Sequence, residues 1–148
     1  MAHVRRQLRE RVGVVLTGLS LTGSNVFESR LYQLNDTDLP CIIITTESED
    51  VNVEAVGGGK GKNILRRSIN LNVAIKAKVT ANLDDVLDGI AVDVEKAIIN
   101  DTNALLSNAI ISNVEIDLNA DGDQPIGTAT LSWIFDIYTQ ADDPEIQL

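Results

Sequence analysis

The chain has 148 residues, of which 44 % are hydrophobic and 3 % aromatic, and its formal net charge is -10. This length is enough for one domain with its own core, and Val, Ile and Leu throughout the chain argue against disorder. The acidic balance excludes a protein that binds nucleic acid through a dominant basic surface, and no apolar run approaches the roughly 20 residues of a membrane-spanning helix. Cys41 is the single cysteine, so no internal disulfide is expected. We expect its thiol to be buried and inert.

The charge is distributed unevenly along the chain. Residues 1–30 carry five Arg against two acids, and residues 31–96 carry seven bases against eleven acids. Residues 97–148 carry nine acids and no Lys or Arg. The sequence therefore predicts a basic end and an acidic end rather than a uniformly acidic surface.

The first third of the chain predicts one amphipathic helix followed by two strands. Val4, Leu8 and Val12 recur at the four-residue step of a helix face, and polar turns separate two short runs typical of strands. The predicted elements are a helix over 2–18, a turn at 22–25, a strand over 26–31, a turn at 35–38 and a strand over 41–46.

The rest of the chain predicts a long loop, three strands and a second helix. Strict alternation of apolar and polar residues indicates a strand with one buried face, and Asn82 before an apolar stripe indicates the start of a helix. The predicted elements are a loop over 47–63, a strand over 69–79, a helix over 83–99, strands near 110–118 and 128–139 joined by a turn at 119–123, and a loose tail from about 141.

The order of these elements, αββ-loop-βαββ, does not alternate strands and helices regularly. We therefore expect an α+β fold with a mostly antiparallel or mixed sheet and two helices packed on one face. The sequence shows no linker or internal repeat, and one domain over 1–148 is expected.

The residues for catalysis or cofactor binding are sparse. Lys62 follows glycines, but a phosphate-binding loop requires Gly where Val56 stands and a hydroxyl residue where Asn63 stands. His3 is the single histidine and lies near the start of the chain, where a mobile segment is expected, so no histidine-dependent triad is predicted. We expect no enzyme, catalytic residue, metal site or cofactor.

An acidic turn offers one alternative, a calcium-binding module. Asp117, Asn119 and Asp121 stand at the alternating positions of a calcium loop, followed by Gly122. The twelfth position, which should supply a bidentate acid, is Thr128. A solvated hairpin explains the same residues, and a small ligand- or calcium-binding module stays open as a distant alternative.

The chain resembles the tail terminator family of tailed bacteriophages, the proteins similar to minor tail protein U. The likeness spans nearly the full length and consists of an ordered set of short segments. They are Arg5-Arg6-x-x-Arg9-x-x-Val12, Thr22-Gly23-Ser24-Asn25-Val26-Phe27-Glu28-Ser29-Arg30, Leu39-Pro40-Cys41-Ile42-Ile43-Ile44, Leu83-Asp84-Asp85-Val86-Leu87-Asp88 and Phe135-Asp136-Ile137-Tyr138-Thr139.

The resemblance implies a structural virion protein that is assembled in the host cytoplasm. Its copies would form a hexameric ring at the head–tail junction, which caps the tail tube, stops its polymerisation and provides the head–tail joining surface. The partners implied are other copies of the chain, the tail tube protein and a neck or head-completion protein. DNA would pass through the ring without specific binding, and no membrane is involved. Another ring-forming neck or head-completion connector protein is the nearer alternative.

A ring of identical copies needs two different patches on each subunit, and the segregated charges of the chain suggest where they lie. The long loop carries acids early and bases late, which indicates an arm that contacts a neighbour. The residues expected at a subunit or partner interface are Arg5, Arg6, Arg9, Glu49, Asp50, Lys60, Lys62, Arg66 and Arg67.

Overall fold

The computed structural model of the chain describes residues 1–28, 38–78, 81–119 and 126–148. Within these ranges the chain has a mixed α+β fold with a five-stranded mixed sheet and two α-helices, neither of which has the length and apolar character that crossing a membrane requires. The elements are α1 (Val4–Leu16), β1 (Val26–Glu28), β2 (Cys41–Ala55), β3 (Ile64–Lys78), α2 (Leu83–Asn100), β4 (Ala109–Asn119) and β5 (Ile126–Gln140), with short 3-10 turns at Lys60–Lys62 and Ala104–Leu106.

The strands lie in the order β1-β2-β3-β5-β4. The short strand β1 pairs in parallel with residues 42–44 of β2, and all other neighbours are antiparallel. The long strands β3 and β5 pair along their whole length, and β4 is an edge strand. A bulge in β4 between Ile111 and Asn113 inserts one extra residue opposite β5, so the strand reverses the phase of its side chains at that point.

The core forms on one side of this sheet. In β3 and β5 the odd-numbered residues are buried and the even-numbered residues are partly exposed, which is the period-two pattern of a strand with one dry face. Buried residues of α1 and α2 belong to the same core as these odd-numbered residues, so we call this side of the sheet the helix side and the other the polar side. The rings of Trp133 and Phe135 stack within this core, with centroids 6.2 Å apart.

The two helices begin at different kinds of N-cap residue, and the sequence pattern predicts only the second, Asn82. His3 is the N-cap of α1, and its Nδ1 accepts a hydrogen bond from the Arg5 amide at 3.1 Å, so the expected mobility at this residue is wrong. Burial and the charge of Arg5 lower the pKa of His3, which favours the neutral ring that a cap acceptor requires. Asn82 is the N-cap of α2 in a left-handed conformation and makes no side-chain cap hydrogen bond.

The long loop predicted over 47–63 is wrong for its first nine residues. Strand β2 continues to Ala55, and its outer half pairs with residues 64–70 of β3, so only residues 56–63 connect the two strands. This half of β2 lacks a buried face, which is why hydrophobic periodicity does not reveal it. It is held instead by backbone ladder hydrogen bonds and by cross-strand contacts such as Asn70 with the Ser48 hydroxyl at 2.7 Å.

The tail predicted to be loose from about 141 is tied to the rest of the chain. The Val4 amide donates to the Pro144 carbonyl at 3.0 Å, the Gln7 side chain donates to the Glu145 carbonyl at 2.7 Å, and the Leu148 amide donates to the Tyr138 carbonyl at 2.9 Å. The tail therefore closes over the start of α1. Residues 35–37 of the turn predicted over 35–38 and residues 120–123 of the turn predicted over 119–123 lie outside the described residues. So do residues 29–31 of the strand predicted over 26–31 and residue 79 of the strand predicted over 69–79.

Helix α2 packs so closely on β5 that Gly127 has no room for a side chain. A Cβ built at Gly127 would lie 2.8 Å from Leu83 Cδ2 and 2.9 Å from Leu87 Cδ1. We expect Gly127→Ala to lower the free energy of unfolding by about 1–3 kcal/mol, the usual cost of overpacking.

The matched control is Gly89→Ala in the interior of α2, where a new Cβ would meet only Leu21 Cδ1 at 3.9 Å. This variant should gain roughly 0.5–1 kcal/mol, because glycine weakens a helix interior. Urea unfolding followed by Trp133 fluorescence measures both, and equal effects of the same sign would contradict the packing described here.

Candidate functional site

Three of the residues expected at an interface meet inside the subunit. Glu49 accepts hydrogen bonds from Arg5 and from Arg67, the latter at 2.8 Å, and its side chain is only 6 % exposed. Arg67 also donates to the Thr139 hydroxyl at 2.9 Å. We call Arg5, Glu49 and Arg67 the Glu49 cluster; it joins α1 to two strands of the sheet.

The ionisation of Glu49 depends on this cluster. Burial by itself raises the pKa of the Glu49 carboxyl, but the hydrogen bonds from Arg67 and Arg5 outweigh burial, so the net pKa is lowered. A buried ion pair of this kind needs both partners, since either charge alone would be left uncompensated. The charges of Glu49 and Arg67 are therefore matched within the chain, where their first role is to position α1.

The two other expected arginines of α1 lie at the surface, and one of them contacts β2. Arg9 donates to the Thr46 hydroxyl at 2.9 Å, and the residues that the structure describes give it no carboxylate partner. Arg6 is 66 % exposed and pairs with Glu10 one helical turn away, at 2.7 Å. Arg9 therefore presents positive charge beside β2. The Arg6–Glu10 pair is exposed on α1 and contributes little to stability.

The remaining expected residues lie on the outer part of the β2–β3 hairpin. Lys62 lies 3.8 Å from an Asp142 carboxylate oxygen, and Arg66 lies 3.9 Å from Glu54, whereas Asp50 and Lys60 are exposed. The structure thus does not bring all the expected residues into one patch. It separates an inner group, the Glu49 cluster, from surface charges on α1 and on the hairpin.

Charges from the two ends of the sequence also meet within the subunit. Arg11 donates two hydrogen bonds to Asp101, the shorter at 2.6 Å, and the bond from Arg11 lowers the pKa of Asp101. Basic residues near the start of the sequence and acidic residues of its last third therefore also pair within one subunit, between α1 and the segment after α2.

The most unusual surface is one that the sequence pattern does not single out. Val114, Ile116 and Leu118 project from the helix side of β4, opposite Leu131, Ala129 and Gly127 of β5, and are 47 %, 53 % and 48 % exposed. We call these three residues the apolar stripe of β4. Their alternation with Asn113, Glu115 and Asp117 is the same as that of a strand whose apolar face is buried. Their exposure follows from the order of the strands and the position of the helices in the fold, which the local sequence pattern does not reveal.

The polar side of the same strand borders an open groove. Its volume is about 580 Å³, and it is lined by Lys76, Glu115, Ile116, Asp117, Thr128 and Thr130. Lys76 Nζ donates to the Thr128 hydroxyl at 3.1 Å. Among the described residues no group of three or more His, Cys, Asp or Glu side chains is arranged to hold a metal ion. The predicted calcium alternative depends on Asp121, which lies outside those residues.

The chain was also compared with known proteins. No family model and no curated protein matches it. The proposals below therefore depend on the residues and geometry described above together with the resemblance of the sequence segments.

Proposed function

We propose that the chain is a structural virion protein of the tail terminator class, whose copies close into a hexameric ring on the end of a bacteriophage tail tube. The ring stops further addition of tube subunits and joins the tail to a neck or head-completion protein, so that the protein resides at the head–tail junction. The proposal includes the finer fold expected of such a subunit, with the order αββ-loop-βαββ and both helices on one face of the sheet.

The observation that carries this proposal is the apolar stripe of β4. An edge strand with half-exposed Val, Ile and Leu side chains is an association surface, because its unpaired backbone groups and apolar side chains both gain partners on contact. On a ring subunit the two contact surfaces differ, since each copy meets its neighbours head to tail. A subunit whose sheet ends in an edge strand with exposed apolar side chains fits such an assembly.

The charge of the chain is consistent with DNA as a neighbour rather than a ligand. A net charge of -10 on each copy would give a ring a strongly negative field, which repels phosphates and keeps a passing duplex from adhering. The proposed mechanism is therefore control of assembly by surface complementarity.

Tail assembly in the presence and absence of the chain tests the proposal. We expect purified tail tube protein to polymerise into short tubes with one capped end when the chain is present, and into tubes several-fold longer when it is absent. Electron microscopy of negatively stained samples measures both the lengths and the caps. Tubes of unchanged length would contradict the proposal, and phage particles lacking the chain that have normal tails but leaking heads would favour the neck connector instead.

A further inference from the structure

In the part of the chain that the structure describes, the sheet has a second exposed edge, on the opposite side from β4. Among the described residues, β1 covers only residues 42–44 of β2, and the outer half of β2 is exposed. Val51 and Val53 in this half are 47 % and 56 % exposed. We call these two residues the apolar stripe of β2.

The two stripes lie on the same side of the sheet. Val51 pairs with Arg67 and Val53 with Leu65 of β3, which in turn pair with Ile137 and Thr139 of β5. Those β5 residues have the same parity as Ala129 and Leu131, which face the stripe of β4. Both stripes are therefore on the helix side, but the stripe of β4 pairs with residues 127–131 of β5 and the stripe of β2 lies level with residues 137–139. Joining the two edges with this shift along the strands would place the stripes side by side.

The strand directions also allow this contact in a ring. From β2 to β4 across the sheet the neighbours are β2-β3, β3-β5 and β5-β4, and all three pairs are antiparallel. In a cyclic assembly every copy has the same orientation, so β4 of one copy meets β2 of the next in antiparallel fashion. The outer half of β2 is displaced along the strand from β4, and a closed, tilted sheet requires such a stagger between its subunits.

The helices above these edges carry complementary charges. On α1, Arg5 and Arg9 reach Glu49 and Thr46 of β2, so their positive groups lie along the open edge of that strand. On α2, Asp93 accepts a hydrogen bond from Ser20, close to the end of α1. By helical spacing, Asp84, Asp88 and Glu95 lie on the opposite side of α2 from Asp93 and therefore away from the end of α1.

We propose that a second copy of this chain covers the apolar stripe of β4, through the outer half of its β2 strand and the arginines of its α1. The sheets of neighbouring copies become continuous, the two stripes close against each other, and Arg9 lies opposite the acidic side of α2. The contact is heterologous, since β4 of each copy binds β2 of the next. As an account of the ring interface this inference rests on the proposed function.

Disulfide trapping between two cysteine variants tests the contact. Variants V51C and V53C are each mixed with V114C, I116C or L118C and oxidised at rising protein concentration. Because a disulfide needs Cα atoms within about 7 Å, we expect at least one mixture to yield cross-linked pairs at more than ten times the level of either variant alone. Cys41 is buried and is present in every sample.

The matched control replaces Asn52, which projects from the polar side of β2, and N52C mixed with the same three β4 variants should give no more than background. Arg9→Glu in the copy that carries the β2 cysteine should lower the cross-linked yield several-fold, and Asp88→Arg in the other copy should restore it. Cross-linking of I116C with itself would overturn the inference in favour of a two-fold β4–β4 contact.

The outcomes separate this inference from the proposed function. Copies that cap tail tubes but give no cross-link in any of the six mixtures would overturn the β2–β4 contact and leave the function standing. Copies that cross-link as expected, yet neither cap tubes nor limit their length, would support the contact and contradict the function.

Discussion

Replacement of Glu49 by alanine is expected to lower the free energy of unfolding by about 3–5 kcal/mol, the cost of breaking a buried ion pair by removing one partner. Glu49 is 6 % exposed and Arg67 is 10 % exposed, so the guanidinium group of Arg67 would lose its counter-charge without gaining water. Since natural domains are stable by only about 5–15 kcal/mol, this single change would remove a large part of the total.

Neighbouring substitutions make the Glu49 result specific. Glu49→Gln keeps the shape and one hydrogen-bond acceptor, and its effect should be intermediate. Asp50→Ala, next in the chain but exposed, should change stability by less than about 0.5 kcal/mol. Urea unfolding of the three variants measures the order, and an Asp50 variant as unstable as the Glu49 variants would show that the cluster is not the cause.

The pH dependence of stability provides a second readout for Glu49. Its pKa is lower in the folded chain than its ordinary value, so the cluster stabilises the fold fully above the ordinary glutamate pKa of roughly 4.3. This contribution is lost as the pH falls below that value and through the lowered pKa. The wild-type chain should therefore lose more stability than Glu49→Gln between neutral and acidic pH, and parallel curves would contradict the assignment.

Replacement of Trp133 by alanine is expected to lower the free energy of unfolding by about 3–5 kcal/mol, because it leaves a large cavity in the core. Trp133 is 1 % exposed and has the largest volume of the fully buried side chains among the described residues. Its indole Nε1 has no hydrogen-bond partner among the described residues, and a buried N–H group without a partner is unfavourable.

Trp133→Phe is the informative comparison for that prediction. It retains an aromatic ring beside Phe135 and removes the unpartnered N–H group, so its cost should be well below that of Trp133→Ala. Thermal unfolding followed by circular dichroism suits both variants, since neither retains a tryptophan. A phenylalanine variant as unstable as the alanine variant would contradict both the cavity argument and the assignment of an unpartnered N–H group at this position.

The elements with an apolar face could be predicted from the sequence. Helix α1 and strand β5 have the expected periodicity, and their bounds differ from those predicted by only a few residues. The outer half of β2 could not be predicted, since its polar residues have the composition of a loop and its structure depends on pairing with β3. Here strand pairing overrides the local preference of the chain.

The candidate site was less predictable than the fold. Arg5, Glu49 and Arg67 are far apart in sequence, so no helical or strand spacing relates them, and their meeting follows from how α1 packs on the sheet. The charges alone predicted that these residues contact another copy, whereas in the structure Glu49 and Arg67 form an ion pair within one copy. The apolar stripe of β4 reads as core in the sequence but is about half exposed in the structure, where α2 packs mainly on β3 and β5.

The bulge in β4 bears on how the chain tolerates changes of length. Ser112 is the extra residue between Ile111 and Asn113, so its loss would restore regular pairing while Val114, Ile116 and Leu118 stay on the helix side. Loss of one residue between Glu115 and Asp117 would instead exchange the faces of the residues beyond it. We therefore expect deletion of Ser112 to keep the apolar stripe on the helix side, with loss of the hydrogen bond from its hydroxyl to the Ser132 carbonyl. A deletion a few residues later is expected to place acidic side chains where the apolar ones stand. Relatives of this chain that differ by one residue in β4 can thus differ in what they bind while their composition is almost the same.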